Sequence, residues 1–387
     1  MRSYKFRLYP SKIQERLFNY HIWLSKELWN ELLEVNKKKY EEERRFFSKE
    51  EMQLMVKNTE LYSQTAQVVS HRLYNAIWRT VKLRKQGTEY GFPRFKSFDR
   101  MKSLNYPQSG FILGEKLKVT PFGDISIKKH RKIKEIIKTL TLKREASGKW
   151  FAIFCVQEEK RPPKENKGEK VGIDLGLTNF AVLSNGKVIV NPRYFRKHEK
   201  HLASLQKRLS RCKKDSKNRK KAKLKVAVEH ERISNCRSDF HHKLSHELVN
   251  SYSFIALEAL KSKEMAEHNF GKSIHDAGWN MFANMFVYKA EGAGCEIVFV
   301  NPRNTSKECN CCGTVVAKTL SDRIHECPIC GLRIDRDVNA ARNILNRATA
   351  GTAGSNASGD ETAVSSRKEE ATDSSGGSSR NYFKSIF

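Results

Sequence analysis

The sequence predicts a multidomain protein of mixed α/β and β class, and three observations lead to this fold class. The chain has 387 residues, which is enough for two or three domains. Its hydrophobic pattern begins with a helical period, then alternates as in strands, and later mixes short apolar strands with amphipathic helices. Two Cys-x-x-Cys pairs within residues 309–330 indicate a small metal-binding module inside the last domain.

The charge of the chain predicts a polyanionic partner. Lysine and arginine total 73 against 43 aspartate and glutamate residues, which gives a formal net charge of +30. Such a charge destabilises a compact fold by self-repulsion unless a polyanion offsets it, so nucleic acid is the expected partner. An anionic membrane is the alternative, but the charge is spread too widely for it, and no apolar run is long enough for a membrane span. Residues 1–5 do not begin a signal peptide.

The first half of the chain is predicted to contain a strand, a group of helices and a β-rich region. Residues 3–9 alternate polar and apolar side chains, as a strand does, and Ser11 is the expected N-cap of a helical segment that extends to about Lys85. From Tyr90 to Glu158 the pattern is β-rich, with a hairpin turn at residues 146–148. Interleaved aromatic and basic residues in this region suit contact with RNA or DNA, although for any single ring an ordinary β core is the better explanation. These residues are Phe92, Arg94, Phe95, Lys96, Phe98 and Arg100.

The amino-acid composition of the chain changes after a polar linker that runs from Pro162 to Lys170. Residues 171–190 are predicted to form two strands joined by a turn at residues 184–187, where Asn-Gly favours a hairpin. Asp174 lies among the apolar residues of the first of these strands. A buried carboxylate is costly unless a metal ion or hydrogen bonds compensate it, so Asp174 is a candidate catalytic residue.

The segment from Arg196 to about Leu248 is predicted to be helical and is strongly basic. We expect a pair of basic helices that contacts a nucleic-acid backbone. The histidines of this segment match no known ligand spacing and are expected at the surface or against phosphate: His230, His241, His242 and His246.

Two further carboxylates complete a candidate active site. A later buried strand carries Glu258 near its end, and Asp337 directly precedes the last helical segment. Acids on a first strand, on a later central strand and at the start of the last helix follow the order expected of an RNase H-like nuclease core. Such cores hold two divalent ions, and oxygen ligands suit Mg²⁺ or Mn²⁺. Asp174, Glu258 and Asp337 are therefore the predicted catalytic residues and magnesium ligands.

The cysteine pairs predict a zinc site. Cys309/Cys312 and Cys327/Cys330 are separated by the fourteen residues 313–326, close to the spacing of a zinc ribbon. Cys311 leaves a Cys309/Cys311 pairing formally open, although the spacing of the second pair favours Cys312. We expect these four cysteines to hold one Zn²⁺ and the other cysteines to be ordinary thiols in a reducing compartment.

Together these motifs resemble the TnpB family, the transposon-encoded RNA-guided DNA endonucleases related to type V CRISPR effectors. The resemblance runs from YKFRLYPSKIQERL near the start to NAARNIL at residues 339–345. GIDLG around Asp174, FIALEAL around Glu258 and NPRNTSKECNCCG…HECPICG…DRDVNAARNIL around Asp337 carry it. In the family the third carboxylate precedes x-Asn, which favours Asp337 over Asp335 and makes Asp335 an expected structural residue.

The resemblance implies a domain organisation and a function. The expected domains are an oligonucleotide-binding-like wedge β-barrel (1–10 and 88–160), a helical recognition domain (11–87), a RuvC-like nuclease domain (171–304 and 332–348) and a zinc-ribbon insert that binds target nucleic acid (305–331). Residues 349–387 lie outside the resemblance, and their Gly/Ser/Ala/Thr-rich composition predicts a disordered tail. The family binds a guide RNA from the transposon end and cleaves double-stranded DNA beside a short adjacent motif. The resemblance also implies that the protein is a monomer within the RNA complex. The expected location is the cytoplasm of a prokaryotic host, in association with the nucleoid.

Two other functions remain open at this point. One is a catalytically weak RNA-guided regulator that binds DNA without cutting it, and the other is an accessory transposase that acts through strand transfer. The three intact acids favour cutting over the first alternative, and dependence on RNA would separate cutting from the second.

Overall fold

A computed structural model describes residues 2–158, 162, 164–261, 264, 265, 267, 271–319 and 321–353. The described residues divide into two compact units, one ending at residue 158 and one beginning at residue 162. Most of the predicted tail, residues 354–387, lies outside the described residues.

The first unit begins with strand β1 (Arg2–Tyr9) and the long helix α1 (Lys12–Glu43). Ser11 caps α1 as predicted, because its side chain accepts the Gln14 amide while the Gln14 side chain accepts the Ser11 amide. Two more helices follow, α2 (Lys49–Met55) and α3 (Ser63–Lys85), so the predicted helical segment ends at the expected residue.

The same unit contains a seven-stranded antiparallel sheet in the order β2-β6-β7-β1-β5-β4-β3. Its further strands are β2 (Ser103–Tyr106), β3 (Phe111–Leu113), β4 (Leu117–Val119), β5 (Gly123–Lys128), β6 (Ile136–Arg144) and β7 (Trp150–Gln157). Alternate residues of β7 are buried, which gives the sheet one apolar face that packs with α1 and α3 in a single core. The Tyr106 hydroxyl on edge strand β2 donates to the Thr120 carbonyl beside β4 (2.9 Å), so the sheet curves until it is nearly closed.

The second unit contains a five-stranded sheet in the order β10-β9-β8-β11-β12. These strands are β8 (Glu169–Leu175), β9 (Asn179–Leu183), β10 (Val188–Val190), β11 (Tyr252–Glu258) and β12 (Glu296–Val300). β8, β9 and β10 pair antiparallel, whereas β11 pairs parallel with both β8 and β12. The parallel strands β8, β11 and β12 therefore have their carboxyl ends at one edge of the sheet.

The prediction of two strands in residues 171–190 is wrong, because three strands form there. An additional tight turn at residues 176–178 separates β8 from β9, and the Gly176 amide donates to the Phe180 carbonyl (3.2 Å). A Cβ on Gly176 would lie 2.9 Å from the Asn179 carbonyl oxygen, so this turn depends on glycine.

Helices cover both faces of this sheet. On one face lie α5 (Lys217–Ser251), α6 (Gly271–Ala277) and α7 (Trp279–Ala293), whose apolar residues form the larger core with Ile255 and Leu257 of β11. On the other face, α8 (Arg336–Ala353) packs Ile344 and Ala348 against the alternate residues Phe254 and Ala256. α8 continues to Ala353, five residues into the segment that the sequence predicted to be a disordered tail.

Two additional features lie outside the sheet layers. α4 (Tyr194–Ser210) packs against α5 and forms the predicted basic helix pair with it. The short hairpin of β13 (Ile324–Glu326) and β14 (Arg333–Asp335) belongs to the cysteine segment and leads directly into α8.

Candidate metal centres

Asp174 lies on β8, beside the helix that carries Asp337. A Cβ on Gly172 would lie 2.0 Å from the Ala341 carbonyl oxygen of α8, so the strand and the helix are in direct backbone contact at this glycine. This close packing requires glycine at residue 172. It holds the N-terminal part of α8 near the carboxyl end of β8, where Asp174 is half-buried.

The other two predicted acids lie on elements that flank β8. Glu258 is the last residue of β11, whose residue Leu257 pairs with Ile173 immediately before Asp174. Asp337 is in the first turn of α8 and forms an ion pair with Arg336 (Nε to Oδ1, 3.1 Å). The three predicted catalytic acids are thus close in space although they are far apart in the sequence.

The proximity of the three acids affects the pKa of Asp174. Burial raises the pKa of its carboxyl well above the usual value, and the negative charges of Glu258 and Asp337 raise it further. The Arg336 guanidinium partly opposes this shift. Burial also raises the pKa of Glu258, while its hydrogen bond with Thr305 lowers it. Oxygen ligands that repel one another in this way fit a divalent cation, which would offset their charge.

The four predicted cysteines form a second, tighter cluster. The Sγ atoms of Cys309, Cys312, Cys327 and Cys330 all lie within 4.8 Å of one another, and over the described parts of the chain no other group of metal-ligating side chains is gathered as closely. The separations are 3.6 Å for Cys309–Cys330 and 3.5 Å for Cys312–Cys327. A tetrahedral zinc ion with Zn–S bonds of about 2.3 Å would place its sulfurs roughly 3.8 Å apart, so the cluster can bind a metal ion of this kind.

The two cysteine turns share one backbone geometry. In each, the amide of the following glycine donates to the carbonyl of the first cysteine (2.9 Å), and Gly313 and Gly331 both have positive φ. Cys311 is exposed and lies outside the cluster, so the structure brings together the four cysteines that the spacing predicts.

The structure adds contacts that the sequence did not predict and corrects one expectation. Thr305 donates a hydrogen bond to Glu258, and Asp335 accepts the backbone amides of Asp337 (2.9 Å) and Val338 (3.1 Å). His241, expected at the surface, is buried against the rings of Phe180 and Phe282, and burial lowers its pKa to about 4. Only the three- and four-residue spacing of α5 core positions such as 241, 244 and 248 could have indicated this.

Comparison with protein families matches three segments. Residues 153–269 match a family described as a probable transposase, residues 279–344 match the Cas12f1-like TNB domain, and residues 1–45 match a helix-turn-helix domain. The last description differs from the structure, because strand β1 and the single long helix α1 occupy that segment.

Relatives match nearly the whole chain. A putative RNA-guided DNA endonuclease of Streptomyces pristinaespiralis is 33% identical over 358 residues, which is 89% of this chain and 88% of the relative. A TnpB-like protein of Acanthamoeba polyphaga mimivirus is 24% identical over 383 residues, or 89% of this chain and 72% of that protein. The chain belongs to the TnpB family.

A solved structure shares the fold of this TnpB-family chain. The chain in the cryo-EM structure of a Cas12f1–sgRNA–target DNA complex aligns with a TM-score of 0.57 at 17% identity, covering 87% of this chain and 83% of that one. At this identity the likeness concerns the fold alone. Within the described residues of the TnpB-family chain, no helix is long and apolar enough to cross a membrane.

Proposed function

We propose that this protein is an RNA-guided DNA endonuclease that cuts with Asp174, Glu258 and Asp337. The observation that carries the proposal is the convergence of these acids from two neighbouring parallel strands and one helix, with charges that act on the pKa of Asp174. Relatives across most of the chain are named as RNA-guided DNA endonucleases, which supports the same activity.

The sheet supports an RNase H-like, RuvC-type core for this activity. When the five strands are numbered by their order in the sequence, their order across the sheet is 3-2-1-4-5. Only strand 2, which is β9, is antiparallel to neighbours on both sides. In open sheets, sites form at the carboxyl ends of parallel strands where the order reverses, and here that point is between β8 and β11. We assign residues 171–304 and 332–348 to this nuclease domain and residues 305–331 to its insert.

The acids would hold Mg²⁺ or Mn²⁺, and the four cysteines would hold Zn²⁺. Divalent ions bound by carboxylates activate water and stabilise the leaving oxygen in phosphodiester hydrolysis. Asp174, Glu258 and Asp337 would bind and orient these ions, and Arg336 would limit the repulsion among the acids. The cysteine module would fix the entry of the chain into α8 and so the placement of Asp337.

Nucleic acids are the proposed partners of both units. An open groove along α4 is lined by cationic side chains (Lys200, Lys207, Arg208 and Arg211), which suits contact with a phosphate backbone. We propose a guide RNA from the transposon end and a double-stranded DNA target beside a short adjacent motif. Residues 1–10 and 88–160 would be the wedge domain and residues 11–87 the recognition domain of this complex.

The test is to express the protein with its flanking locus, sequence the RNA that copurifies, and offer a plasmid library matched to that RNA with a randomised flank. We expect Mg²⁺-dependent double-strand cutting beside one short motif, and no cutting by Asp174→Asn under the same conditions. RNA-dependent binding without cutting would instead identify a regulator, and RNA-independent strand joining would identify a transposase.

A further inference from the structure

The segment 301–310 connects β12 to the first cysteine turn and lies along α8. Three polar residues of α8, Asn339, Asn343 and Arg347, are spaced by four and therefore share one face of the helix. All three bind this segment, through its backbone and, at Glu308, also through a side chain.

The two asparagines fix the centre of the segment. The Asn343 amide donates to the carbonyl oxygens of Thr305 (2.9 Å) and Glu308 (2.6 Å). The Asn339 amide donates to the Glu308 carbonyl (2.7 Å), and its oxygen accepts the Asn310 amide (3.0 Å). Both asparagines are buried, and buried amides that are satisfied by several hydrogen bonds hold their partners in one geometry.

The arginine fixes the start of the segment. Its guanidinium donates to the carbonyl oxygens of Asn301 (3.0 Å) and Arg303 (2.7 Å) and forms an ion pair with Glu308. The backbone from residue 301 to residue 310 is thus attached to the same helix that carries Asp337 in its first turn.

Thr305 is the point at which this segment contacts the acid site. Its side chain is buried, and its Oγ1 lies 2.5 Å from Glu258 Oε1 and 3.1 Å from the Pro302 carbonyl oxygen. A hydroxyl has a single proton, and a carbonyl oxygen and an ionised carboxylate only accept. When Glu258 is ionised, as a metal ligand is, the Thr305 proton is therefore donated to the closer carboxylate oxygen. This hydrogen bond restrains the Glu258 carboxylate at the end of β11.

We propose that Thr305 is a positioning residue for Glu258 and that Asn343 holds Thr305 in place. The proposal rests on the proposed nuclease function, in which Glu258 binds a divalent ion. The same short segment would then support both metal centres, because it contains Cys309 and orients Glu258. Partners of this kind, which orient a metal ligand without touching the metal, typically change metal affinity or activity by about ten- to a hundredfold.

The decisive comparison is Thr305→Val against Thr305→Ser in the full-length protein. Valine keeps the shape of threonine and removes the hydroxyl, whereas serine keeps the hydroxyl. We expect Thr305→Val to bind Mn²⁺ about tenfold or more weakly, measured by electron paramagnetic resonance without nucleic acid, and to cut correspondingly more slowly. Thr305→Ser should stay close to the wild type in both measurements, and Ser306→Ala, which removes an exposed hydroxyl one residue away, is the matched control.

A double-variant cycle tests how the hydroxyl is held. If Asn343 acts through Thr305, Asn343→Leu should weaken Mn²⁺ binding. Adding Thr305→Val to that variant should then weaken Mn²⁺ binding by less than a further factor of two. Zinc content, measured by elemental analysis, should be unchanged in Thr305→Val. Additive losses in the double variant would show that Asn343 does not act through Thr305.

The outcomes separate this inference from the function on which it rests. If Thr305→Val and Thr305→Ser bind Mn²⁺ equally, or lose it equally, the hydroxyl does not position Glu258 and the inference is wrong. If Glu258→Gln cuts as well as the wild type, the assignment of Glu258 to the nuclease site fails instead. Loss of zinc in Thr305→Val would show that the residue stabilises the cysteine module rather than the carboxylate.

Discussion

The two candidate metal centres of the second unit are built in opposite ways. The cysteine centre would draw its four ligands from residues 309–330, through two turns with the same hydrogen bonds, and its sulfurs lie within 4.8 Å of one another. The acid centre would draw its ligands from residues 174–337, on two strands and a helix, and burial together with charge repulsion raises the pKa of Asp174. In the cysteine centre, the backbone of two local turns places the side chains. In the acid centre, distant elements bring buried carboxylates together, and a cation must offset the repulsion between their charges.

The largest expected effect comes from neutralising the acids one at a time. Asp174→Asn, Glu258→Gln and Asp337→Asn keep the side-chain shape and remove the charge that would bind a divalent ion. Each should slow cutting by on the order of a thousandfold or more, because several kcal/mol of charge stabilisation are lost and each 1.36 kcal/mol is tenfold in rate. Binding of RNA and target, measured by filter retention, should change little. Near-normal cutting by any of the three would remove that residue from the acid centre.

The next largest effect tests whether the local centre supports the distributed one. Serine in place of Cys309, Cys312, Cys327 or Cys330 should remove the bound zinc, about one ion per chain, and loosen the β13–β14 hairpin that leads into α8. A displacement of about 1 Å at Asp337 is enough for on the order of a hundredfold loss of cutting.

Cys311→Ser is the matched control for these variants, since Cys311 is exposed and outside the cluster. It should retain both zinc and cutting. Elemental analysis and cleavage assays on all five proteins decide the ligand set, and a Cys312→Ser protein that keeps its zinc beside a Cys311→Ser protein that loses it would reverse the assignment.

The two centres also differ in how far the sequence alone could predict them. The spacing of the cysteines and the glycine after each pair describe the turn completely, so the cluster follows from local chemistry. The apolar strands and the start of a helix were enough to identify the acids as candidate site residues. Their proximity, however, depends on the parallel pairing of β8 with β11 and on the packing of α8 against Gly172. Thr305 had no such signal, because its contact with Glu258 joins residues 47 positions apart. The turn at residues 176–178 was missed because Leu177 within it is apolar and its polar signal is confined to Thr178 and the following Asn179.

An intermediate effect should appear in stability rather than in activity. The raised pKa values of Asp174 and Glu258 mean that the fold favours their protonated forms. This contribution to stability is complete below the ordinary carboxyl pKa and is lost as the pH rises through the raised values. Without added Mg²⁺, Asp174→Asn should therefore melt above the wild type at neutral pH, by about 2–4 °C for each kcal/mol, and the difference should shrink towards acid pH.

Added Mg²⁺ provides the complementary measurement. It should raise the melting temperature of the wild type more at pH 8 than at pH 5, because only deprotonated acids bind the ion, and it should have little effect on Asp174→Asn. Mg²⁺ should be omitted rather than chelated, so that the cysteine centre keeps its metal. A wild type that melts above Asp174→Asn in the absence of Mg²⁺ at neutral pH would show that burial and repulsion do not raise the pKa of Asp174.

The smallest expected effect concerns Asp335, the acid that the sequence could not fully separate from Asp337. Its carboxylate accepts the amides of Asp337 and Val338, which is the arrangement of an N-cap at the start of α8. Asparagine caps helices about as well as aspartate, so Asp335→Asn should keep cutting within about twofold, whereas Asp335→Ala should lose about 1 kcal/mol of stability. Asp335→Asn and Asp337→Asn make the same chemical change at positions two residues apart. In the first variant the altered side chain binds backbone amides, and in the second it faces the other acids. Equal loss of cutting in both would mean that Asp335 belongs to the acid centre, and activity in Asp337→Asn with loss in Asp335→Asn would exchange the two assignments.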